Sequence, residues 1–505
     1  MFDAGAWVLL ESALADLPAD LRRLFELGAV TLQQLRALHV ALGVTSAADV
    51  LAEVRRQAVR RVPGLGPEVE AAVAQALRGI RARMPRIPLG QAMAIADPFL
   101  SPLRTLRGIA WAEPVGSLRR GQDTVGDIEI LAPAKDPTKA FNTLLEIPTV
   151  TRCLHRGPRR LYLLTNRVQV GVRCPKPEGA GAAFLHLTGS TTHFEGLRSL
   201  AQEKGWALEP AGLDRGNGQA FIAESEEAIY AALELPWIPP EIRNGDDEIE
   251  AARNGALPNL VSRDAIRGDL HMHTNFSDGR DTLETMVHAC VALEYEYMAI
   301  TDHSPHSASS RNLSADSVKR QAEEIGRLRE RFPQIVILHG CEVDILLDGR
   351  LDFPDRVLER FDIVLASLHE EGGQTPEQLM HRYLAAMRHP LITLITHPTN
   401  RLLPYRPGYD LDYDRLFAAA VDTATAVEID GAPAHLDLDG TLARRAIAAG
   451  ATVAIDSDCH RAEMLDRQMR MGVMTARRGW VESRHVLNSR SIGDVRAFIA
   501  AKRRG

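Results

Sequence analysis

The sequence predicts a multidomain protein that combines α+β and α/β folds, with a βα barrel in its second half. From Arg267 onward, apolar segments of strand length alternate with helical segments, as in EYMAITDHS, QIVILHGCEVDIL and LITLITHP. This alternation is typical of βα units with parallel strands, and at least seven such strands favour a closed or nearly closed barrel. The chain has 505 residues, more than one ordinary hydrophobic core needs, so further domains are expected.

Residues 1–86 are predicted to form short helices, because apolar positions recur at helical spacing. The stretch VPGLGPEVE places Gly64 and Gly66 in a tight turn that opens a helix, which is the helix-hairpin-helix signature. Backbone N–H groups at such a helix start can bind a DNA phosphate without reading the base sequence. A plain turn between two helices is the alternative.

Residues 87–245 are predicted to mix strands and helices. VGDIEILAP and RLYLLTNRVQVGVRC are rich in β-branched and apolar residues, and helical stretches separate and follow them. The acidic stretch NGDDEIEAARNGALPNL, with its glycines and asparagines, then predicts a linker. The chain is therefore divided into a helical region at 1–86, a mixed region at 87–245, a linker at 246–266 and the barrel region at 267–505.

The composition is that of a soluble globular protein, with 45% hydrophobic and 25% charged residues. The net charge of −7 gives no overall attraction to nucleic acid, so any DNA contact must come from local basic surface. The five cysteines form no C-x-x-C pair and are odd in number, which argues for a reducing cytoplasm. No secretory signal or apolar run of membrane-spanning length is visible, so no membrane partner is expected.

Nine candidate metal ligands lie in short blocks after residue 266, a region that holds 13 of the 17 histidines. Several of them end an apolar strand, where βα barrels carry their functional groups. Imidazoles and carboxylates without thiolates suit Zn, Mn or Fe, and a set of this size can hold more than one ion, as phosphate-ester hydrolysis uses. The nine candidates are His271, His273, Asp278, His303, Glu342, His369, His397, Asp458 and His460.

The blocks that carry these residues resemble the polymerase-and-histidinol-phosphatase (PHP) superfamily. They are GDLHMHTNFSDGR, ITDHS, GCEVDIL, ASLHE, THPTNR and DSDCHR, and they are most similar to the PHP domain of bacterial family X DNA polymerases. The resemblance implies a distorted seven-stranded βα barrel that binds three metal ions through all nine residues. It also implies attack of a metal-bound hydroxide on a phosphodiester, as in 3′–5′ exonuclease trimming of DNA.

Four further positions in this half bear on substrate. Arg401 follows the HPT block and is a candidate catalytic residue that neutralises a substrate phosphate, with a surface arginine as the alternative. Three positions depart from the PHP pattern. Asp430 stands where asparagine is usual, His435 where arginine is usual, and Thr396 where glycine often precedes HPT. These departures leave the substrate preference open.

The stretch GSLRRGQDTVGDIEIL, residues 116–131, resembles the nucleotidyltransferase motif in the palm of family X polymerases. The resemblance implies that the Gly116-Ser117 turn holds a nucleotide phosphate and that Asp127 and Glu129 hold Mg²⁺. Both carboxylates face one side of a strand, an arrangement that allows a metal pair. The family's third carboxylate is replaced by Gly171, which has no side chain with which to bind a metal.

The stretch LTGSTTHFEGLR resembles the thumb motif of the same family, with Thr191 and Phe194 in place of the usual lysine and asparagine. The resemblance thus covers nearly the whole chain, with a shortened helix-hairpin-helix region, an eroded polymerase site and a complete PHP site. It predicts a DNA repair protein that acts chiefly as a metal-dependent 3′–5′ exonuclease or phosphoesterase. Its expected partners are DNA 3′ ends, gapped or single-stranded DNA, and its polymerase activity is expected to be weak or lost.

Three alternatives stay open at this point. The chain is an active gap-filling polymerase in which another carboxylate replaces the missing one, or a small-molecule phosphatase of the histidinol-phosphate kind. The third alternative is a DNA-binding scaffold without catalysis. The helix-hairpin-helix signature and the polymerase-like middle argue against the small substrate, which needs neither. The oligomeric state is left open, with a monomer as the expectation.

Overall fold

The computed structural model describes all residues except 1–20, 22–23, 26–27, 45–46, 84–85, 167, 217–219, 222, 308, 371 and 505. The described residues form two compact units that interleave along the chain. The first comprises the described part of 1–86 together with 98–112 and 126–175, and the second comprises 87–97, 113–125 and 176–505. The prediction that the chain has no secretory signal concerns its N-terminal segment, and this segment lies outside the described residues. No helix in the described part of the chain has the length and apolar character needed to cross a membrane.

The described part of residues 1–86 contains the helices α1 (Leu32–Leu42), α2 (Ala47–Arg55) and α3 (Pro67–Arg83). Between α2 and α3, Gly64 adopts a φ of 84°, a left-handed conformation that glycine reaches without strain. Leu65 is fully buried in the helical core, and α3 begins directly after Gly66. The predicted tight turn and helix start at VPGLGPEVE are therefore confirmed.

The elements that follow mix strands and helices, as the sequence predicts. They are β1 (Ile87–Pro88), α4 (Leu89–Thr105), β2 (Glu113–Pro114), α5 (Gly116–Arg119), β3 (Thr124–Val125), β4 (Ile128–Leu131), α6 (Thr138–Leu145), β5 (Val150–Arg156), β6 (Arg160–Thr165) and β7 (Val168–Arg173). In the first unit, four strands lie side by side in the order β4, β7, β6, β5. The strands β4 and β7 are parallel, and their register places Glu129 beside Gly171.

Residues 176–266 form a smaller helical and β part of the second unit. Its elements are α7 (Ala180–Thr188), α8 (Thr191–Glu203), β8 (Ala207–Glu209), β9 (Gly212–Asp214), β10 (Ala220–Phe221), α9 (Glu226–Ala232) and α10 (Glu248–Arg253). The helix α10 lies inside the segment predicted to be a linker. Its Glu248 is buried, with Oε1 2.6 Å from Nδ1 of His193, and Val261 donates a backbone hydrogen bond to Val481 at 2.9 Å. This segment is therefore packed at both ends.

The rest of the second unit is the predicted βα barrel. Seven parallel strands neighbour one another in sequence order, namely β11 (Gly268–Asp269), β12 (Tyr297–Ile300), β13 (Val336–Asp344), β14 (Ile363–Ser367), β15 (Leu394–Ile395), β16 (Ala426–Asp430) and β17 (Val453–Asp456). A parallel bridge between Met272 and Cys459, just beyond β11 and β17, brings the first and last strands together. The expectation of a nearly closed barrel of parallel strands is confirmed.

Helices connect the strands and cover the barrel. They are α11 (Leu283–Ala292), α12 (Ala315–Arg331), α13 (Asp355–Leu358), α14 (Pro376–Arg388), α15 (Tyr413–Asp422), α16 (Gly440–Ala448), α17 (Leu465–Arg478) and α18 (Ile492–Arg504). Alternate residues of β14 pack on opposite faces. Ile363 and Leu365 join a core cluster with α18, whereas Val364 and Ala366 join a larger cluster that includes the surrounding helices. Because both faces are apolar, polar side chains concentrate at the carboxyl ends of the strands.

Candidate metal centre

All nine predicted ligands lie at the carboxyl ends of the barrel strands. Glu342 is within β13, and each of the other eight follows the end of a strand. A parallel bridge between His303 and Glu342 extends the pairing of β12 and β13 to the site. The barrel thus brings together residues that are up to 189 positions apart, from His271 to His460.

Glu342 is the centre of one half of the cluster. Its carboxylate is fully buried, with Oε2 2.9 Å from Nδ1 of His303 and Oε1 2.9 Å from Nε2 of His397. Nε2 of His271 lies 3.4 Å from Oε2, and Nε2 of His369 lies 3.6 Å from Oε1. Nε2 of His273 also lies 3.6 Å from Oε2, and one carboxylate that faces five imidazoles has the arrangement of a ligand shared between ions.

Asp278 and Asp458 organise the other half. Oδ1 of Asp278 lies 3.2 Å from Nε2 of His460 and 3.5 Å from Nε2 of His303. Oδ1 of Asp458 lies 3.0 Å from Nε2 of His273, whose ring stacks at 4.3 Å on the rings of both His303 and His460. His303 therefore belongs to both halves and joins them.

The donor set fits divalent cations. Nε2 of His271 and Nε2 of His273 point at each other across 3.1 Å, and Nδ1 of His303 and Oε2 of Glu342 are buried without hydrogen-bond geometry despite their proximity. Lone pairs that converge in this way suit ions held by imidazole and carboxylate. Three overlapping groups have ligand atoms within 4.8 Å of one another, namely His273, Asp278, His303 and His460, then His271, His273 and Glu342, and then His303, Glu342 and His369.

The charges of these ligands are strongly coupled. Burial lowers the pKa of the histidines, yet the neighbouring carboxylates outweigh it and raise the pKa to about 10 for His303 and to about 9 for His397 and His460. Burial and the neighbouring histidines lower the pKa of His273 to about 3. Burial raises the pKa of Glu342, but the surrounding imidazoles prevail and hold it well below its ordinary value. Metal binding at this centre therefore displaces protons.

Two carboxylates outside the predicted set orient the ligands. Glu428 of β16 is fully buried, with Oε1 2.7 Å from Nδ1 of His271, and its Oε2 accepts the backbone N–H of His397 at 2.6 Å. Asp344 of β13 lies 2.9 Å from Nδ1 of His369. Such partners fix the ring orientation and the tautomer of a metal-binding histidine. Neither carboxylate belongs to the ligand set predicted from the sequence, although Asp344 is two residues from Glu342 and so shares its face of the strand.

Arg401, the candidate phosphate ligand, makes contacts inside the second unit. Its Nε donates to the carbonyl of His435 at 2.8 Å, its Nη1 to Oδ2 of Asp123 at 2.7 Å, and its Nη2 to the carbonyl of Leu436. The residue is 9% exposed. Its catalytic role stays a prediction, and phosphate binding would require the guanidinium to exchange one of these acceptors for the substrate.

The three departures from the PHP pattern all lie beside the centre. Thr396 donates its hydroxyl to Oε1 of Glu342 at 2.8 Å. The ring of His435 stacks on that of His397 at 5.6 Å, and burial together with this neighbouring imidazole lowers its pKa to about 4. Asp430 is fully buried, and burial raises the pKa of its carboxyl well above the ordinary range. The rim around the ligands is therefore less cationic than an arginine at 435 would make it.

The polymerase-like carboxylates have a different environment in the first unit. Glu129 accepts two hydrogen bonds from Arg173, at 2.7 and 2.9 Å. A side chain at Gly171 would meet the Tyr162 ring, since a Cβ there lies 2.7 Å from Cε1 of that ring. Asp127 precedes β4. The position of the missing carboxylate is thus filled by an aromatic ring, and Glu129 already has a cationic partner.

The predicted phosphate-binding turn lies in the second unit. Gly116 has a φ of 65° and opens α5 with Ser117, and Arg119 of the same helix forms a pair of hydrogen bonds with Glu226, at 2.9 and 2.5 Å. Phe194, which replaces the usual asparagine, is 5% exposed and packs in the core of this part. The aromatic side chain at 194 therefore stabilises the thumb-like part from within.

The chain is similar to known proteins over both of its halves. The family model of the DNA polymerase beta thumb matches residues 183–244, and that of the PHP domain matches residues 269–420. The DNA polymerase/3′-5′ exonuclease PolX of Bacillus subtilis (strain 168) is 35% identical over 501 residues, which cover 98% of this chain and 87% of the relative.

Two further relatives match a part of the chain. A probable phosphatase of Syntrophotalea carbinolica is 30% identical over 166 residues, 32% of this chain and 64% of the relative. A probable phosphatase of Thermoanaerobacter sp. (strain X514) is 25% identical over 248 residues, 47% of this chain and 95% of the relative. The match to PolX extends over nearly the whole chain, and the thumb and barrel lie where the sequence motifs indicate. This chain is a member of the family X DNA polymerases that carry a C-terminal PHP domain.

Proposed function

We propose that this protein is a metal-dependent 3′–5′ DNA exonuclease or phosphoesterase that acts in DNA repair through its PHP barrel. The observation that carries the proposal is the convergence of the nine predicted ligands at one end of the barrel, where seven of them form three overlapping groups. Three divalent ions, Mn or Zn or alternatively Fe, are proposed to bind there. When bound, such ions activate a water molecule and offset the charge of the phosphodiester.

The chain's own residues prepare this chemistry. Glu428 holds His271 and the loop of His397 in place, and Asp344 holds His369. The carboxylates that surround the histidines offset the charge of the protonated imidazoles, and the burial of His271, His273 and Glu342 limits the access of bulk water to that side of the centre. The proposed substrate is a DNA 3′ end, gapped or single-stranded, which agrees with the 3′-5′ exonuclease for which the Bacillus subtilis relative is named.

Polymerase activity is proposed to be weak or lost. Mg²⁺ at Asp127 and Glu129 would have to displace Arg173 from Glu129, and Gly171 provides no third carboxylate. The Gly116-Ser117 turn is proposed to survive as a nucleotide-phosphate site. The palm-like part is then a scaffold that positions DNA.

The remaining proposals concern organisation and partners. The turn at Gly64 and Gly66 is proposed to bind a DNA phosphate at the start of α3. The division at 1–86, 87–245, 246–266 and 267–505 is retained as a proposed functional division, and the protein is proposed to act as a monomer. A cytoplasmic location is proposed because all five cysteines are free thiols.

The proposal is tested by a time course with a 5′-labelled primer annealed to a longer template in Mn²⁺, with and without deoxynucleotides. Wild type is expected to shorten the primer, and His303→Ala to lose at least about 100-fold of that rate because His303 joins both halves of the centre. His381→Ala, an exposed histidine of α14, is the matched control. Lengthening with deoxynucleotides would support the gap-filling alternative, and DNA left intact by wild type would refute the exonuclease.

The probable phosphatases among the relatives favour a second candidate, hydrolysis of a small phosphate monoester. Turnover of an amino-alcohol phosphate is compared with that of an oligonucleotide under the same conditions. Faster turnover of the small ester would favour this candidate over the exonuclease.

A further inference from the structure

A pocket of about 380 Å³ opens beside the metal centre. It is lined by Arg280, Asp281, Thr285, Arg461, Ala462 and Glu463. Arg280 is two residues beyond the ligand Asp278, and Arg461 directly follows the ligand His460. The pocket is therefore formed by the same two loops that carry half of the metal cluster.

Backbone contacts fix these two loops to each other. The N–H of Arg280 donates to the carbonyl of His460 at 2.9 Å, and the N–H of Ala462 donates to Oδ2 of Asp281 at 2.8 Å. Because two residues of chain span at most about 7 Å, the backbone of each arginine lies within that distance of the backbone of a metal ligand. The pocket is thus positioned for a group that neighbours the reacting phosphate.

Two arginines and two carboxylates line the pocket, and one of the arginines has no direct partner in the described part of the chain. Among the residues that the structure describes, the guanidinium of Arg280 has no hydrogen-bond acceptor or carboxylate partner. Asp281 is engaged by the backbone of Ala462, and Arg461 pairs only with the 72% exposed side chain of Glu463, at 3.4 Å. Exposed pairs of this kind contribute little, so both arginines are available to an anion.

We propose that this pocket binds the DNA phosphate adjacent to the scissile one, on its 5′ side, through Arg280 and Arg461. This rests on the proposed exonuclease function. When the bond cleaved is the last one of a 3′ end, every other backbone phosphate of that strand lies on the 5′ side. Arginine suits this task, because its planar fork of donors matches phosphate oxygens.

The test compares the dinucleoside monophosphate TpT, whose only phosphate is the scissile one, with TpTpT, which has one more on the 5′ side. In Mn²⁺, wild type is expected to gain about tenfold in kcat/KM from TpT to TpTpT, as one charge-assisted contact provides. Arg280→Ala and Arg461→Ala are expected to lose most of this gain without slowing TpT. Arg280→Lys is expected to keep part of the gain in kcat/KM. The control Arg327→Ala, which changes an exposed arginine on α12, is expected to keep all of it.

Binding gives a readout independent of turnover. Anisotropy of a 5′-labelled oligothymidylate strand, titrated with salt in EDTA so that the strand is not cleaved, is expected to show a slope smaller by about 0.7 in each alanine variant, because one phosphate contact is lost. If wild type cleaves TpT without any gain on TpTpT, phosphate binding in the pocket is overturned and the exonuclease function is unaffected. The same conclusion follows if the alanine variants keep both the gain and the salt slope. Variants that slow TpT equally would place the arginines at the scissile phosphate and overturn the proposal. A wild type inert toward both substrates would refute the exonuclease, and the salt slopes would still decide the pocket.

Discussion

Glu428 is the residue on which the orientation of two metal ligands depends. One oxygen faces Nδ1 of His271 at 2.7 Å and the other accepts the backbone N–H of His397 at 2.6 Å. In Glu428→Gln, the amide keeps one acceptor and loses the charge that supports the imidazole. We expect affinity for Mn²⁺ to fall by about 10- to 100-fold, measured by calorimetric titration of metal-free protein.

The control for this variant is Glu330→Gln, which removes a carboxylate from the exposed face of α12. It is expected to bind Mn²⁺ as wild type does. Equal affinity in Glu428→Gln would mean that the barrel backbone alone orients His271 and His397, and that the carboxylate has no part in it.

The sequence predicts the ligands better than their supports, and the reason is local spacing. Two ligand pairs are recognisable from the sequence because the two members of each pair lie within three residues of each other. They are His271 with His273 and Asp458 with His460. The partner of His271 is 157 positions away, so only the folded barrel brings Glu428 to it. The sequence also reveals that Gly171 lacks a carboxylate. It does not show that the ring of Tyr162 fills the place, since that contact depends on the register of neighbouring strands.

At the scale of elements, apolar strands with polar ends were readily predicted because a barrel strand is buried on both faces. The structure of the segment at 246–266 is harder to predict from its sequence. Its charges indicate solvent exposure, but α10 forms there and Glu248 meets His193 in a buried site. The hydrogen bond with His193 offsets the free-energy cost of burying the Glu248 carboxylate. Because the two residues are 55 positions apart, no local sequence pattern predicts this contact.

The thumb-like element contains a second buried carboxylate, Glu226, whose effect on stability depends on pH. Burial raises its pKa, but Arg243 and Arg119 outweigh it and lower the pKa to about 2, from 4.5 in an unfolded chain. The ionised carboxylate therefore stabilises the fold fully above pH 4.5, and this contribution is lost as the pH falls toward 2. Its size is on the order of 3 kcal/mol.

We therefore expect Glu226→Gln to lower the free energy of unfolding by that order near pH 7, and the deficit to shrink as the pH falls from 5 to about 2.5. Urea unfolding of wild type and variant at a series of pH values measures it. Glu227→Gln, on the exposed side of α9, should show no such trend. A deficit independent of pH would mean that the loss comes from packing rather than from the charge of Glu226.

At the scale of the whole molecule, the metal centre draws its ligands from the carboxyl ends of six of the seven barrel strands, and the seventh, β16, contributes Glu428, which orients two of them. Its ligands come from β13 or from the loops that follow the other strands of the cluster, and they include carboxylates and imidazoles removed from water. Without ions, the raised pKa values of His303, His397 and His460 keep these imidazoles protonated at neutral pH, each beside a carboxylate of the cluster. Bound ions would replace these protons and link the strands.

Removal of metal is therefore expected to lower the thermal stability of the protein. Ligand at 1,000 times its dissociation constant stabilises a folded state by about 4 kcal/mol, which corresponds to a shift of several degrees in Tm. Calorimetry of the metal-loaded protein before and after EDTA measures the shift, and re-addition of Mn²⁺ should restore it. His303→Ala, which lacks the ligand common to both halves, should respond to EDTA by a smaller shift. An EDTA-treated wild type with unchanged Tm, once emptied of metal, would show that the strands do not depend on the ions and that the cluster serves chemistry alone.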